Sequence, residues 1–218
     1  MKVLVACEES QRVCTAFRER GHEAYSCDII ECSGGHPEWH IKHDVLPLLN
    51  GRCEFITCDG IRHYIDGKWD LIIAHPPCTY LSNAGACRLY QKRGQLNTER
   101  YKKGLEAKEF FMQFINADCE RIAIENPVHS KIFEMPKYTQ EIQPYQFGHP
   151  VSKKTRLWLK NLSPLVYTNV IDCKSTFLPS GTGRKIKSSY GACKRGNDAV
   201  ERSKTFPGIA KAMAEQWG

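Results

Sequence analysis

The chain has 218 residues, 41% of them hydrophobic and 25% charged, and carries a formal net charge of +7. That length and balance suit a well-buried α/β domain and exclude a disordered chain. No apolar run approaches the roughly 20 residues of a membrane span. The eleven cysteines form no Cys-x-x-Cys pair. The N-terminal apolar run is about five residues, short of a signal-peptide core, so we expect reduced thiols in a cytoplasmic setting, and the compact size suits a bacterial cell or phage-infected host.

In chain order, "KVLVAC" reads as a short buried strand and "EESQRVCTAFRERG" as a helix, with Val13, Cys14 and Phe17 on one face and Gly21 as its stop. "EAYSCDII" reads as a second strand. Cys27, Cys32, His36, His40 and His43 loosely resemble zinc-ligand spacing, but "CSGGHPEWHIKHD" lacks the helix that a finger needs. A satisfied loop is the simpler reading, and no metal is expected. Further strands are expected at "CEFITC", "WDLIIAH", "RIAIEN", "YTQEIQPYQF" and "TRLWLK", with helices over residues 98–116 and 207–217. Alternation of strand and helix predicts a mainly parallel, doubly wound sheet. With no repeat or linker, one domain over 1–218 is expected, with residues 160–205 a short basic insert.

The ligand end of such a sheet follows from the residues that end its strands. After the first strand come Cys7, Glu8, Glu9, Ser10 and Gln11, whose backbone amides open a helix. After the second come Asp28 and Ile29, an acid about twenty residues on, where dinucleotide folds bind ribose hydroxyls. Asp44 and Val45 are further on, and His75 and Pro76 close the strand at "WDLIIAH". Together they describe a nucleoside-bearing cofactor, although Asp28 equally suits a turn cap.

The run Leu71–Ala74 then stops against Pro76 and Pro77, which present Cys78 on a rigid turn. Cys78 is either a nucleophile or one more buried sulfur. The following "SNAGACRLYQKRGQLNTERYKK" is polar and basic. It suits a lid over bound polyanion, with Arg88, Lys92 and Arg93 in reach, or a solvated surface loop. Charge is one-sided. Residues 151–218 hold 13 Lys and Arg against 4 Asp and Glu, leaving 18 against 20 in residues 1–150. Interleaved with Gly, Ser and Tyr, Lys153, Lys154, Arg184, Lys185 and Lys187 favour a nucleic-acid partner over a mere solubility device.

Three stretches carry a resemblance. "HPPCTYLSNAG" resembles the Pro-Cys loop of the carbon-5 cytosine-specific DNA methyltransferases, "IAIENP" their Glu-Asn-Val motif, and "SKKTRLWL" their Gln-x-Arg-x-Arg strand. They stand in the family's order, and "FPGIAKAMAEQWG" is similar to its C-terminal helix. The resemblance implies a Rossmann-like methyltransferase fold, S-adenosyl-L-methionine as cofactor, DNA as partner and a flipped cytosine as target. It further implies that Cys78 adds to carbon 6, that Glu125, its pKa raised by an apolar site, donates a proton to nitrogen 3, and that Arg156 holds the pyrimidine oxygen.

The chain departs from the pattern in places. "ACEESQ" replaces Phe-x-Gly-x-Gly-Gly, which puts two acids where the methionine ammonium would lie. Thr79 replaces a Gln, and Pro127 a Val. About fifty residues separate Arg156 from the last helix, where the family carries a larger recognition region, so a small target of about two to four base pairs is expected. The same chemistry on RNA or a free pyrimidine nucleotide, and a catalytically idle DNA-binding protein, stay open beside this reading, as does the oligomeric state.

Overall fold

The computed structural model describes residues 1–86, 88–90, 94–173, 176–179, 185–188, 201 and 203–218. The strands are β1 (Lys2–Ala6), β2 (Glu23–Asp28), β3 (His40–Lys42), β4 (Glu54–Ile56), β5 (Arg62–Tyr64), β6 (Leu71–Ala74), β7 (Ile122–Pro127), β8 (Gln140–Ile142), β9 (Thr155–Lys160), β10 (Thr176–Pro179) and β11 (Lys185–Ser188). The helices are α1 (Arg12–Arg18), α2 (Asn83–Ala86), α3 (Thr98–Ile115) and α4 (Pro207–Trp217).

Seven strands make the central sheet, in the order β3-β2-β1-β6-β7-β9-β8. Pairing is parallel from β3 through β7, and β9 runs antiparallel to both of its neighbours. This is the expected α/β architecture, a Rossmann-like, mainly parallel, doubly wound sheet. Strands covered on both faces read as continuous apolar runs, and "VLVA" and "LIIA" are fully buried. Alternation sends Val3, Val5, Leu71, Ile73, Ala123 and Leu157 to the face packed by α1 and α4. Leu4, Ala6, Ile72, Ile122, Ile124 and Trp158 go to the face packed by Phe111 and Phe114 of α3.

Several elements differ from the sequence expectation, among them β5, α2, β10 and β11, which it did not include. The strand at "CEFITC" does not join the central sheet but pairs with β5 as a separate hairpin. Its turn holds Gly60 at φ 85, and Thr57 Oγ1 donates to Asp59 Oδ1 at 2.7 Å. The polar "HIK" forms edge strand β3, because its buried His40 sits between Ser26 Oγ at 2.9 Å and the Ile30 carbonyl at 2.9 Å. "YTQEIQPYQF" keeps only three strand residues before Pro144 starts a 3-10 turn. Within the basic insert, β10 and β11 form a hairpin that pairs Lys187 with Phe177 and Lys185 with Pro179.

The order of connection reverses between β1 and β6. From β1 the chain steps outward to β2 and β3, then returns to β6 on the other side. The C-terminal ends of β1 and β6 thus flank the topological switch point, the usual ligand position in such sheets.

Candidate active site at the carboxyl edge of the sheet

The Cys78 turn is built by two adjacent strands. His75 N donates to the Ala6 carbonyl at 2.9 Å, the last ladder bond before Pro76 and Pro77, which have no N–H to continue it. The Cys78 carbonyl then accepts from Leu81 N at 3.2 Å and Ser82 N at 2.9 Å, closing a tight turn with Cys78 half-buried. The loop after β7 clamps this turn. Asn126 Nδ2 donates to the Pro76 carbonyl at 2.6 Å, Asn83 N to the Val128 carbonyl at 2.9 Å, and Ser130 N to the Leu81 carbonyl at 2.8 Å. His129 Nε2 donates to Asn126 Oδ1 at 2.7 Å and fixes its amide. The imidazole of His129 stacks on Trp158 and meets the edge of Phe111; burial, then the Arg156 charge, pushes its pKa down to about 4.

Glu125 does not carry the raised pKa expected from an apolar strand end. Its Oε2 lies 3.3 Å from His75 Nδ1, and both side chains are largely buried, at 17% and 10% exposure. Burial alone would raise the Glu125 pKa, but the hydrogen bond and charge of His75, Lys153 and Thr155 bring it below the ordinary value. Burial likewise opposes the charge on His75, and the Glu125 bond together with the Glu125 and Glu8 charges outweighs it, so its pKa is raised. The apolar residues before Glu125 gave no sign of this partner fifty positions away.

Arg156 is not gathered beside Glu125. In the β7–β9 ladder Glu125 is in register with Leu157 and Arg156 with Asn126, so the two side chains leave the sheet on opposite faces. The Arg156 guanidinium lies 4.3 Å over the Tyr138 ring, and its Nε is 3.7 Å from Glu141 Oε2. Lys154 Nζ holds the other oxygen of Glu141 at 3.0 Å. Arg156 Nε, buried, makes its ion pair with Glu141 without a hydrogen bond, and Lys154 stays mostly exposed beside Glu141. Lys153, expected on phosphate, acts electrostatically on Glu125 and His75.

At the edge formed by β1, β2 and β3 the expected cofactor residues divide. Cys7 and Gln11 take left-handed backbone, at φ 58 and 56, and let the chain turn into α1. Glu8, only 4% exposed, does not face an ammonium group. Its carboxylate accepts from Val13 N at 2.7 Å and Cys14 N at 3.1 Å, capping α1. The Gln11 amide is spent on His36, accepting from its N at 3.0 Å and donating to its carbonyl at 2.7 Å, and Ser10 is buried. Val45 and Pro76 are buried, Val45 in the core rather than at a ligand surface.

Asp28 and Asp44 each cap a turn, Asp28 Oδ1 accepting from Ile30 N at 3.3 Å and Asp44 Oδ1 from Leu46 N at 3.1 Å, the simpler role the sequence allowed for Asp28. The Cys7 thiol is raised by burial and then by the Asp28 charge, with smaller contributions from Cys27 and Asp44. Ile29 beside them is 73% exposed, and Glu9 Oε1 is buried without a hydrogen-bond partner. A cleft of about 600 Å³ flanks the end of β3 and the β4–β5 hairpin, lined by His43, Phe55 and Thr57 among others. It does not reach the Cys78 turn.

Arg88 is exposed beside the Cys78 loop. Lys92, Arg93 and Arg184 lie outside the described residues, and Lys185 and Lys187 belong to β11. Unforeseen in the sequence, Arg100 Nη2 donates to the Thr79 carbonyl at 3.0 Å, and its guanidinium lies 5.0 Å from the Tyr80 ring, bracing the segment next to Cys78. The zinc-like spacing has other uses: the Cys27 thiol donates to the His43 carbonyl and His36 stacks on Trp39. Among the described residues no cluster of His, Cys, Asp or Glu is arranged to hold a metal, and no helix is long and apolar enough to cross a membrane.

No protein-family model and no curated protein matches the chain. Among solved structures the chain is similar to one assigned as a DNA modification methyltransferase encoded within a prophage of E. coli, with 12% identity and a TM-score of 0.41. The match covers 79% of this chain and 52% of that one, so the chain spans about half that protein's length.

Proposed function

We propose that the protein transfers a methyl group from S-adenosyl-L-methionine to carbon 5 of cytosine in DNA, through a covalent bond between Cys78 and carbon 6 of a flipped base. The observation that carries this reading is the pairing of two neighbouring parallel strands, one ending in the Pro-Cys turn and the other in Glu125 and Asn126, with Asn126 fastened to Pro76 at 2.6 Å. A purely structural cysteine needs neither the rigid turn nor a buried acid on the next strand.

The donor set at the other half of the edge fits the cofactor. Asp28 and Asp44 suit hydroxyl and amino donors of a nucleoside, exposed Ile29 offers an apolar surface to a flat base, and the unpartnered Glu9 Oε1 suits an ammonium group. When bound, the cofactor supplies an electrophilic methyl sulfonium.

The protein's residues do the rest. The Cys78 thiolate bonds to carbon 6 and makes carbon 5 nucleophilic toward the methyl group, Glu125 manages the proton at nitrogen 3, and the sulfur leaves again as thiolate once the methylated carbon 5 has lost its proton to a general base. The Asn126 and His129 contacts hold the turn so that little motion is lost at the reacting atoms. Arg156 shapes the wall through Glu141 and Tyr138 instead of gripping the base. We assign one domain to residues 1–218, with the segment 160–205 and Arg88 meeting DNA.

Mass spectrometry of nucleosides from DNA and RNA incubated with labelled S-adenosyl-L-methionine tests the reading. Label in 5-methylcytosine from DNA supports it. Label only in RNA or free nucleotide moves the same chemistry to another substrate, and no label anywhere leaves a binding protein.

A further inference from the structure

The buried pair beside the Cys78 turn has a feature that the methyl-transfer chemistry does not by itself require. A carboxylate alone can meet nitrogen 3 of a pyrimidine, yet here it is joined to an imidazole at the end of the neighbouring strand. His75 Nδ1 is 3.3 Å from Glu125 Oε2 and its side chain is 10% exposed; its Nε2 is buried without a hydrogen-bond partner, which opposes the charged ring and leaves the Glu125 contact to favour it. Glu8, after β1, accepts from the α1 amides; burial raises its pKa against the His75 charge and those two hydrogen bonds, and in its charged form it adds negative potential at His75. Lys153, before β9, supplies the opposing positive charge. Glu125, Glu8 and Lys153 are thus the charged groups that act on the imidazole from the three elements around it.

We propose that His75 is the proton reservoir of Glu125: the resting site is an imidazolium–carboxylate pair, and the proton needed at nitrogen 3 of the target is held on His75 Nδ1. This rests on the function proposed above. As the Cys78 sulfur bonds to carbon 6, the proton passes from Nδ1 to the Glu125 carboxylate and on to nitrogen 3, leaving neutral His75. When the sulfur–carbon bond breaks, the same proton returns by the same route, so the pair is restored with no net gain or loss. Such an arrangement lets a carboxylate with a depressed pKa still serve as an acid at neutral pH, because the donor is the pair rather than the carboxyl alone. His75 acts through Glu125 and is therefore a positioning residue.

The test reads the charge of His75 directly, by nitrogen-15 NMR of the full chain labelled at histidine. An ordinary histidine is mostly neutral at pH 7.5; His75 is expected to be doubly protonated there in the wild type and mostly neutral in Glu125→Gln. In single turnover with saturating cofactor, His75→Asn should slow methyl transfer by about 100-fold or more at pH 7.5 and change its pH profile. A neutral His75 in the wild type, or a His75→Asn variant with an unchanged rate and pH profile, would overturn the proposal. If His75→Asn does not fold, the NMR comparison of wild type with Glu125→Gln decides. Should the wild type methylate no nucleic acid while His75 remains charged and Glu125→Gln neutralises it, the proposed function fails and the coupled acid stands.

Discussion

Asn126 Nδ2 donates to the Pro76 carbonyl at 2.6 Å, which fastens the strand carrying Glu125 to the turn carrying Cys78. Because Asn126 also accepts from His129, its removal leaves two buried polar groups without a partner. Asn126→Ala should therefore lower stability by about 1 to 3 kcal/mol in urea unfolding. It should also slow adduct formation at Cys78 by about tenfold or more, since the turn loses its anchor. A variant as stable and as reactive as the wild type would remove Asn126 from the site.

His129 sets a pH dependence of stability. Its folded pKa, about 4, is depressed below the ordinary value of about 6.5, so the unfolded chain binds the proton more readily. Its contribution is present above about pH 6.5 and is lost as pH falls through the folded value, with an upper bound of about 3 kcal/mol. Urea unfolding of wild type and His129→Gln at pH 7.5 and pH 4.5 should show a smaller pH difference in the variant. Comparing the two proteins cancels the opposing contribution of His75, whose raised pKa stabilises at low pH.

The two kinds of acid at the β1–β3 edge should separate cleanly. Asp28→Ala and Asp44→Ala should each weaken S-adenosyl-L-methionine binding by about tenfold or more in calorimetry, the loss of a hydrogen bond to a charged group. Glu8→Ala should instead cost about 0.5 to 2 kcal/mol of stability, as the removal of a helix cap does. Unchanged cofactor affinity in both aspartate variants would contradict the placement of the nucleoside.

For DNA, neutralising Arg184, Lys185 and Lys187 together should flatten the dependence of log affinity on log salt by up to about three units, with little change in base preference. Lys154→Gln should alter that slope little, because Lys154 is already paired with Glu141. Bisulfite sequencing of DNA methylated by the purified protein should show a target of about two to four base pairs. A defined motif of six or more bases would place recognition elsewhere.

What was legible in the sequence follows from how burial is encoded. β1, β2, β6, β7 and β9 stand out because strands covered on both faces are written as apolar runs, and the prolines after His75 mark the Cys78 turn. β3 is hidden because the buried polarity of His40 is satisfied by Ser26 and Ile30, which hydropathy cannot see. "CDG" in the β4–β5 turn is a hairpin signal, legible only as a local turn because the strands beside it are three residues each. At the candidate site, Cys78 and Glu125 stand out by motif alone. The direction of the Glu125 pKa was missed because it depends on His75, a contact made only by strand pairing. Glu8 was misplaced for a related reason: an acid just before a helix is as well suited to cap it as to meet a ligand, and here it caps.

The central claim is that Cys78 is the nucleophile, and the most direct measurement is covalent trapping. An oligonucleotide carrying 5-fluorocytosine cannot lose its carbon-5 substituent as a proton, so a covalent intermediate formed through Cys78 stays bound. With S-adenosyl-L-methionine present, the wild type should give a denaturant-resistant adduct whose mass is that of protein plus methylated oligonucleotide, and Cys78→Ser should give none. If the wild type methylates cytosine-containing DNA yet forms no adduct with the fluorinated form of the same sequence, the thiol mechanism is wrong.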